Sequence, residues 1–262
     1  SVSDSSPHPF VVRLWLWTCV ALVMAMVFVG GVTRLTGSGL SITEWNVVTG
    51  SVPPLNAADW DALFLKYQAS PQFLKVNAHF GLSDFQRIFW WEWIHRQLGR
   101  VVGLVFLIPL AVFALRKQLK PWLVRRSVVA ALLIGFQGLL GWLMGKSGLV
   151  DEPTVSHFRL AAHLVAALVT LAYSIFTALR ASTNAMLLQL GQAKVAWVVL
   201  GLLFVQIVWG AFVAGLKGGL MYSTFPTMEG YWIAPEVTHG GLVGLVAKAA
   251  GVQCVHRWLG VL

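Results

Sequence analysis

Three short stretches of the chain place carboxylate, imidazole and guanidinium groups at helical spacing. In Glu92-Trp93-Ile94-His95-Arg96, followed by Gly99 and Arg100, the carboxylate and the imidazole stand at i and i+3 and share one helix face. Gly99 lies four residues after His95, so a side chain that can coordinate a metal has a small residue beside it. In Arg159-Leu160-Ala161-Ala162-His163 the guanidinium and the imidazole are i and i+4, with Ala166 and Ala167 adjoining. The His-Arg pair recurs in Gln253-Cys254-Val255-His256-Arg257. Two neutral imidazoles on separate helices, each beside small residues, could clasp the iron of a flat haem from both faces. Arginines one turn away would answer its propionates through charge-assisted hydrogen bonds.

Each histidine taken singly reads equally well as a hydrogen-bonded, helix-packing imidazole. Other chemistries are weaker. A carboxylate-bridged di-iron site needs a second E-x-x-H and two further carboxylates, and only Glu92 is available near a helix. The H-E-x-x-H pattern of zinc hydrolases is absent. Gly30-Gly31 and the Gly-x-Gly at 37–39 lack the strand-turn-helix setting of a nucleotide loop and read as close helix contacts. His8, His79, His157 and His239 fall in tails or loops and are expected as solvated surface. Cys19 and Cys254 form no CxxC or haem-attachment CxxCH motif.

The elements that must position these groups follow from composition. Of 262 residues, 57% are hydrophobic and only 11% charged, with a mean hydropathy of +0.73, which excludes an ordinary soluble domain. Unbroken apolar runs such as 101–115 exclude an outer-membrane barrel, whose strands alternate in short segments. A helix needs about 20 apolar residues to cross a bilayer. Apolar runs at 14–35, 94–115, 127–150, 158–179 and 195–216 give five spans, and a sixth enters at about 251. Residues 14–31 are long for a signal-peptide core and lack an A-x-A site, so the first span is expected to be retained.

The net charge of +9 reflects orientation in the membrane rather than nucleic-acid binding. Arg116, Lys117, Lys120, Arg125, Arg126, Arg180 and Lys194 lie in two connections without acids. The opposite side holds nine of the ten acids, among them Glu44, Asp59, Asp61, Asp84, Asp151, Glu152, Glu229 and Glu236. The N-terminus is therefore expected inside, on the matrix or cytoplasmic side. His95 near the start of the second span, His163 in the fourth and His256 near the start of the sixth then share one depth toward the outer leaflet. Ionisable groups within spans cost roughly 2.5 to 3.5 kcal/mol at mid-bilayer and mark function.

A shift of 180 residues aligns Gly30, Gly39 and Leu40 with Gly210, Gly219 and Leu220, each set followed by an aromatic-rich loop with prolines. His95-Arg96 matches His256-Arg257 if the second loop is 19 residues shorter. Four spans separate the copies, which gives them equal orientation about an axis along the membrane normal. Nothing in the second copy answers to residues 115–180, so the repeat predicts a missing segment of about two helices. The loop at 41–91 reads as an interfacial cap of short amphipathic helices, or more sharply as a lid over a site. Trp90, Trp91 and Trp93 read as an aromatic belt, or as a low-dielectric wall around Glu92.

These residues together resemble the haem A synthase family, which serves cytochrome oxidase assembly. The motifs that carry the resemblance are Gly30-Gly-Val-Thr-Arg-Leu-Thr-Gly-Ser-Gly-Leu-Ser41, Pro53-Pro54, Glu92-Trp-Ile-His-Arg96 with Gly99-Arg100, and Gln137-Gly-Leu-Leu-Gly-Trp142 with Lys146-Ser-Gly-Leu149. Arg159-Leu-Ala-Ala-His163 and Gly210-Ala-Phe-Val-Ala-Gly-Leu216 with Thr224-Phe-Pro226 complete them. The loop Tyr67-Gln-Ala-Ser-Pro-Gln-Phe73 with Asn77 is similar to the mitochondrial and alphaproteobacterial branch, and the paired loop cysteines of some bacterial members are absent.

The resemblance implies an all-α, polytopic membrane helix bundle of duplicated four-helix halves, the second half truncated. Residues 1–185 would form the first half, with the substrate haem site and the outer loop 41–91, and 186–262 a partial second half. It implies an oxidoreductase that oxidises the C8 methyl of haem O to a formyl group, giving haem A, with water-derived oxygen. Glu92 would be the essential, catalytic carboxylate, and His95 and His163 the ligands of the substrate iron. His256 would be one ligand of a second, b-type haem, its partner histidine belonging to a last helix that the sequence does not contain. Arg96, Arg100 and Arg159 would bind the propionates. A haem O synthase farnesyltransferase, an unidentified electron acceptor, the lipid bilayer and a second copy of the chain are the implied partners, and nucleic acid is not one. The implied location is the mitochondrial inner membrane or the bacterial cytoplasmic membrane. The rival reading of the same residues is a b-type electron-transfer cytochrome that keeps its haem. A transporter fits less well, because its polar residues would gather at broken helices near mid-membrane.

Overall fold

The computed structural model describes residues 7–46, 49–149, 155–182 and 194–261. Asp151 and Glu152, and the expected division at 185/186, lie outside the described residues. Ten α-helices are described: α1 Phe10–Leu35, α2 Ala57–Gln68, α3 Pro71–Lys75, α4 Leu82–Leu115, α5 Pro121–Gly148, α6 His157–Ser182, α7 Lys194–Gly215, α8 Pro235–Thr238, α9 Gly241–Ala247 and α10 Ala249–Leu259. Among the described residues there is no strand, only an isolated bridge between Met228 and Tyr231. Five helices, α1, α4, α5, α6 and α7, are long and apolar enough to cross a membrane. The protein is an all-α, multi-pass membrane protein.

The chain divides into two units, one of residues 1–154 and 166–188, the other of 155–165 and 189–262. In the first, α1 buries Val12, Trp15, Leu16, Cys19, Val20 and Val23, a single stripe at helical spacing. That stripe meets Phe106 of α4, Leu123 and Ala130 of α5, and Ala178 and Ala181 of α6. Pro109 lies inside α4. It has no N–H to offer the carbonyl of Val105, four residues earlier, and in hydrocarbon no water can take its place. The indole N–H of Trp15 donates to that oxygen at 2.9 Å, so a side chain of α1 mends the bond that proline breaks in α4.

Helix α4 has 34 residues and is about 51 Å long, well beyond the ~30 Å of a bilayer core. It begins twelve residues before the expected span, which corrects the placement of His95: the residue stands about three and a half turns into its helix rather than near the start. The extra turns are amphipathic. They bury Phe85, Ile88, Phe89 and Glu92, and the aromatic residues pack with Tyr67 and Trp60, Phe64 and Phe73 from α2 and α3. A helix that packs on protein along one face needs no unbroken apolar run, so hydropathy alone did not extend the span upward. Asn56 caps α2 by accepting from Asp59 N–H, and Ser70 caps α3 by accepting from Phe73 N–H. The 41–91 segment thus contains two short helices and the first turns of α4.

In the second unit, α10 packs against α7 and α9. Ala161, Ala211, Phe212 and Val252 form one core, and Tyr222, Met228, Ala234, Val237, Ala250 and Cys254 another. Two histidines expected as solvated surface are not. His8 is 4% exposed, its ring accepts from Lys120 N–H at 3.4 Å, and it meets Trp122 edge-on. The ring of His157 hydrogen-bonds Val246 O at 2.9 Å and lies edge-on to Phe212. Both sit at ends of helices, where tertiary docking supplies a carbonyl or an amide that no local pattern announces. His79 and His239 are exposed, as expected.

Candidate functional site

Glu92 is 4% exposed, and three donors converge on its carboxylate. Oε2 accepts from Ser41 Oγ at 2.7 Å and from Ile42 N–H at 2.8 Å. Oε1 accepts from the Arg96 guanidinium at 2.5 Å, one turn along α4. The rest of the Arg96 fork goes to main-chain oxygens, Ile42 O at 3.1 Å and Glu44 O at 3.0 Å. Its guanidinium carbon lies 4.8 Å from the centre of the Trp45 ring. Arg100 donates to Asn46 O at 3.0 Å, and Gln97 to Gly50 O at 3.1 Å and Ser51 O at 3.3 Å. Four side chains of α4 thus hold the connection after α1 by its backbone.

His95 meets α1. A Cβ placed on Gly30 would lie 3.4 Å from His95 Cε1 and 3.7 Å from Nε2, so the ring is seated against a glycine backbone. The turn that leads from α1 to Ser41 is itself braced. Gly37 has a φ of +66°, a conformation that suits glycine, and its carbonyl accepts from Gln72 Nε2 at 2.8 Å. Tyr67 OH donates to Gln72 Oε1 at 3.2 Å and accepts from Asn77 Nδ2 at 2.8 Å. Burial raises the Tyr67 phenol above its ordinary pKa; the Asn77 hydrogen bond opposes this, and the negative charge of Glu92 adds to it. On the surface, the Lys66 ammonium at 2.7 Å holds Glu44 below the usual carboxylate range, but both side chains are half exposed and the pair contributes little.

The second unit repeats this frame. A Cβ on Gly210 would lie 3.0 Å from His256 Cε1, and Gly210 is 180 residues after Gly30. Arg257 donates to Tyr222 O at 2.9 Å, Thr227 O at 2.7 Å and Thr224 O at 2.5 Å. Tyr222 and Thr224 are the 180-residue counterparts of Ile42 and Glu44, whose carbonyls serve Arg96. Gln253, in the place of Glu92, donates to Gly219 O at 3.3 Å and Tyr222 O at 3.5 Å. The polarity is reversed: where Glu92 accepts from the loop, Gln253 donates to it.

The structure brings together Glu92, His95, Arg96 and Arg100 on one helix of the first unit, and His256 with Arg257 in the second. His163 and Arg159 lie on the part of α6 grouped with the second unit; His163 is half-buried and Arg159 exposed. Sequence reasoning missed Ser41, Tyr67 and Gln72 as individual side chains, although all three fall within motifs it singled out. Among the described residues no three His, Cys, Asp or Glu side chains gather as a metal centre. Both imidazoles suit a ligand of haem iron in one respect: each rests against a glycine, which adds no side chain of its own to the seat. In the second, buried His256 Nδ1 has no hydrogen-bond partner among the described residues.

The sequence pattern of the cytochrome oxidase assembly protein family matches residues 13–262. The chain is 46% identical over 262 residues to a protein of Maricaulis maris named "Heme A synthase", covering 98% of this chain and 76% of that relative. Proteins with the same name in Nitrosospira multiformis and Flavobacterium johnsoniae are 47% and 42% identical, over 86% and 94% of this chain and 65% and 74% of theirs. The chain therefore spans about two thirds to three quarters of these relatives. No solved structure matches.

Proposed function

The chain belongs to the cytochrome oxidase assembly protein family, and from that premise we propose that it is a haem A synthase, an oxidoreductase that converts haem O to haem A for terminal oxidase assembly. The relatives that carry this name are similar over most of the chain. The observation that carries the reading is the buried Glu92 carboxylate, fixed by three donors one turn from an imidazole seated on glycine. A permanent electron-transfer haem needs no carboxylate beside its methyl groups, which counts against the b-type cytochrome.

In the proposed reaction the C8 methyl gains one oxygen from water and becomes a formyl group. Four electrons leave for an acceptor and four protons are released, so methyl and water balance formyl and the products of oxidation. Withdrawal of electrons from the macrocycle would open the methyl carbon to attack, and Glu92 would either capture the resulting cation or take the proton of the attacking water. His95 and His163 are the proposed ligands of the substrate iron, a pairing that rests on the sequence pattern. Arg100 and Arg159 are the proposed propionate partners. Arg96 is committed to Glu92 and to two carbonyls, so its part in binding would be indirect. His256 would hold the b-type haem, which supplies one-electron transfer when bound.

The relatives are bacterial, which favours the bacterial cytoplasmic membrane over the mitochondrial inner membrane, with the N-terminus on the cytoplasmic side. A haem O synthase would supply the substrate, and a second copy of the chain is a further proposed partner. The test is incubation with haem O followed by analysis of extracted pigments. Glu92→Gln is expected to keep haem bound and stop conversion, and His95→Ala or His163→Ala to remove the low-spin bis-imidazole spectrum. Normal haem A output from Glu92→Gln would overturn the assignment of Glu92.

A further inference from the structure

The two units form an internal comparison at one position. Both latch a loop to a helix through main-chain carbonyls: Arg96 to Ile42 and Glu44, Arg257 to their counterparts Tyr222 and Thr224. The latch in the second unit needs no hydroxyl, because Gln253 and Arg257 donate to the loop directly. Two residues differ together. Glu92 becomes Gln253, and Ser41 becomes Met221, its 180-residue counterpart. The hydroxyl is present where the carboxylate is and absent where an amide replaces it.

We propose that Ser41 is a positioning residue for the catalytic carboxylate, its hydroxyl aiming Glu92 rather than merely fastening the loop. Ser41 is 2% exposed, and its Oγ lies 2.7 Å from Glu92 Oε2 against 3.4 Å from Ile88 O, so its single proton is committed to the carboxylate. Arg96 holds the other oxygen. With Ser41 and Ile42 N–H on Oε2 and Arg96 on Oε1, both rotations of the carboxyl group are restrained from opposite sides. The proton of Ser41 cannot be supplied by a neighbour, because Ser41 N–H is itself spent on Ser38 O at 3.2 Å. This inference rests on the proposed role of Glu92.

The experiment measures haem O conversion by the purified full chain and its Ser41→Ala, Ser41→Thr and Glu92→Gln variants, each with its haem absorption spectrum. Ser41→Ala is expected to lower kcat about tenfold or more, with KM within about twofold and the spectrum unchanged, since a lost hydrogen bond to a charged group is worth at least that factor. Ser41→Thr keeps the hydroxyl and should restore most of the rate. Wild-type turnover in Ser41→Ala, or equal losses in the Ala and Thr variants, overturns the inference. Should Ser41→Ala not assemble, Ser41→Cys, with its weak donor, replaces it under the same criteria. If Glu92→Gln is inactive while Ser41→Ala is normal, only this inference fails; if Glu92→Gln converts haem O normally, the reading beneath it fails.

Discussion

Replacing Arg96 by alanine tests whether the loop after α1 is held by its backbone or by its side chains. Arg96 makes one ion pair with Glu92, whose side chain is 5% exposed against 18% for its own. Both partners stand on α4 at i and i+4, so the pair is the same whether the loop is closed or open and does not enter the latch. Two hydrogen bonds to Ile42 O and Glu44 O add about 1 kcal/mol each, and the Trp45 ring about 0.5. These sum to about 2.5 kcal/mol, an upper bound because the freed carbonyls recover water. At 1.4 kcal/mol per factor of ten, the fraction of time that segment 41–46 stands open should rise by about 10–10². Limited proteolysis in detergent, with amide exchange at Ile42, reads that fraction directly. Arg257→Ala removes three carbonyl bonds, about 3 kcal/mol on the same scale, so segment 219–227 should loosen to a similar extent. Arg96→Lys keeps the charge without the fork and should recover only part of the protection. A loop as protected in Arg96→Ala as in the wild type would refute the latch, and full protection in Arg96→Lys would show that charge alone suffices.

The two glycine seats differ in clearance. Gly30→Ala adds a methyl at 3.4 Å from the His95 ring and should be tolerated, whereas Gly210→Ala places it at 3.0 Å from His256 and should cost about 1–3 kcal/mol; thermal unfolding of both variants checks this, and equal losses would contradict it. The neutral Tyr67 phenol is favoured by the fold, so its contribution is complete below the unfolded value near 10 and is lost as pH rises through the higher folded value. Tyr67→Phe should be less stable at neutral pH by about 1–2 kcal/mol through its two lost hydrogen bonds, yet show a flatter decline above about pH 10. An unchanged alkaline slope in melting temperature would exclude Tyr67 as its source.

The sequence carried the parts that depend on near neighbours. Hydropathy located five membrane-crossing helices to within about four residues, except at the starts of α4 and α5, because water-to-lipid transfer acts on each segment separately. The i, i+3 and i, i+4 spacings of Glu92, His95 and Arg96 fixed which of these groups share a face, and the 180-residue shift disclosed the duplication before any contact was known. The early start of α4 escaped because those turns bury one aromatic stripe on α2 and α3 instead of facing lipid on all sides. Only the tertiary structure decided that Arg96 and Arg257 spend their donors on corresponding main-chain carbonyls, that each imidazole rests on a glycine of the preceding long helix, and that Trp15 repairs the backbone at Pro109. A carbonyl looks the same in every residue, so no side-chain pattern can announce which one a distant donor will find; the partner is chosen when helices far apart in sequence come into contact and every buried polar group must be satisfied.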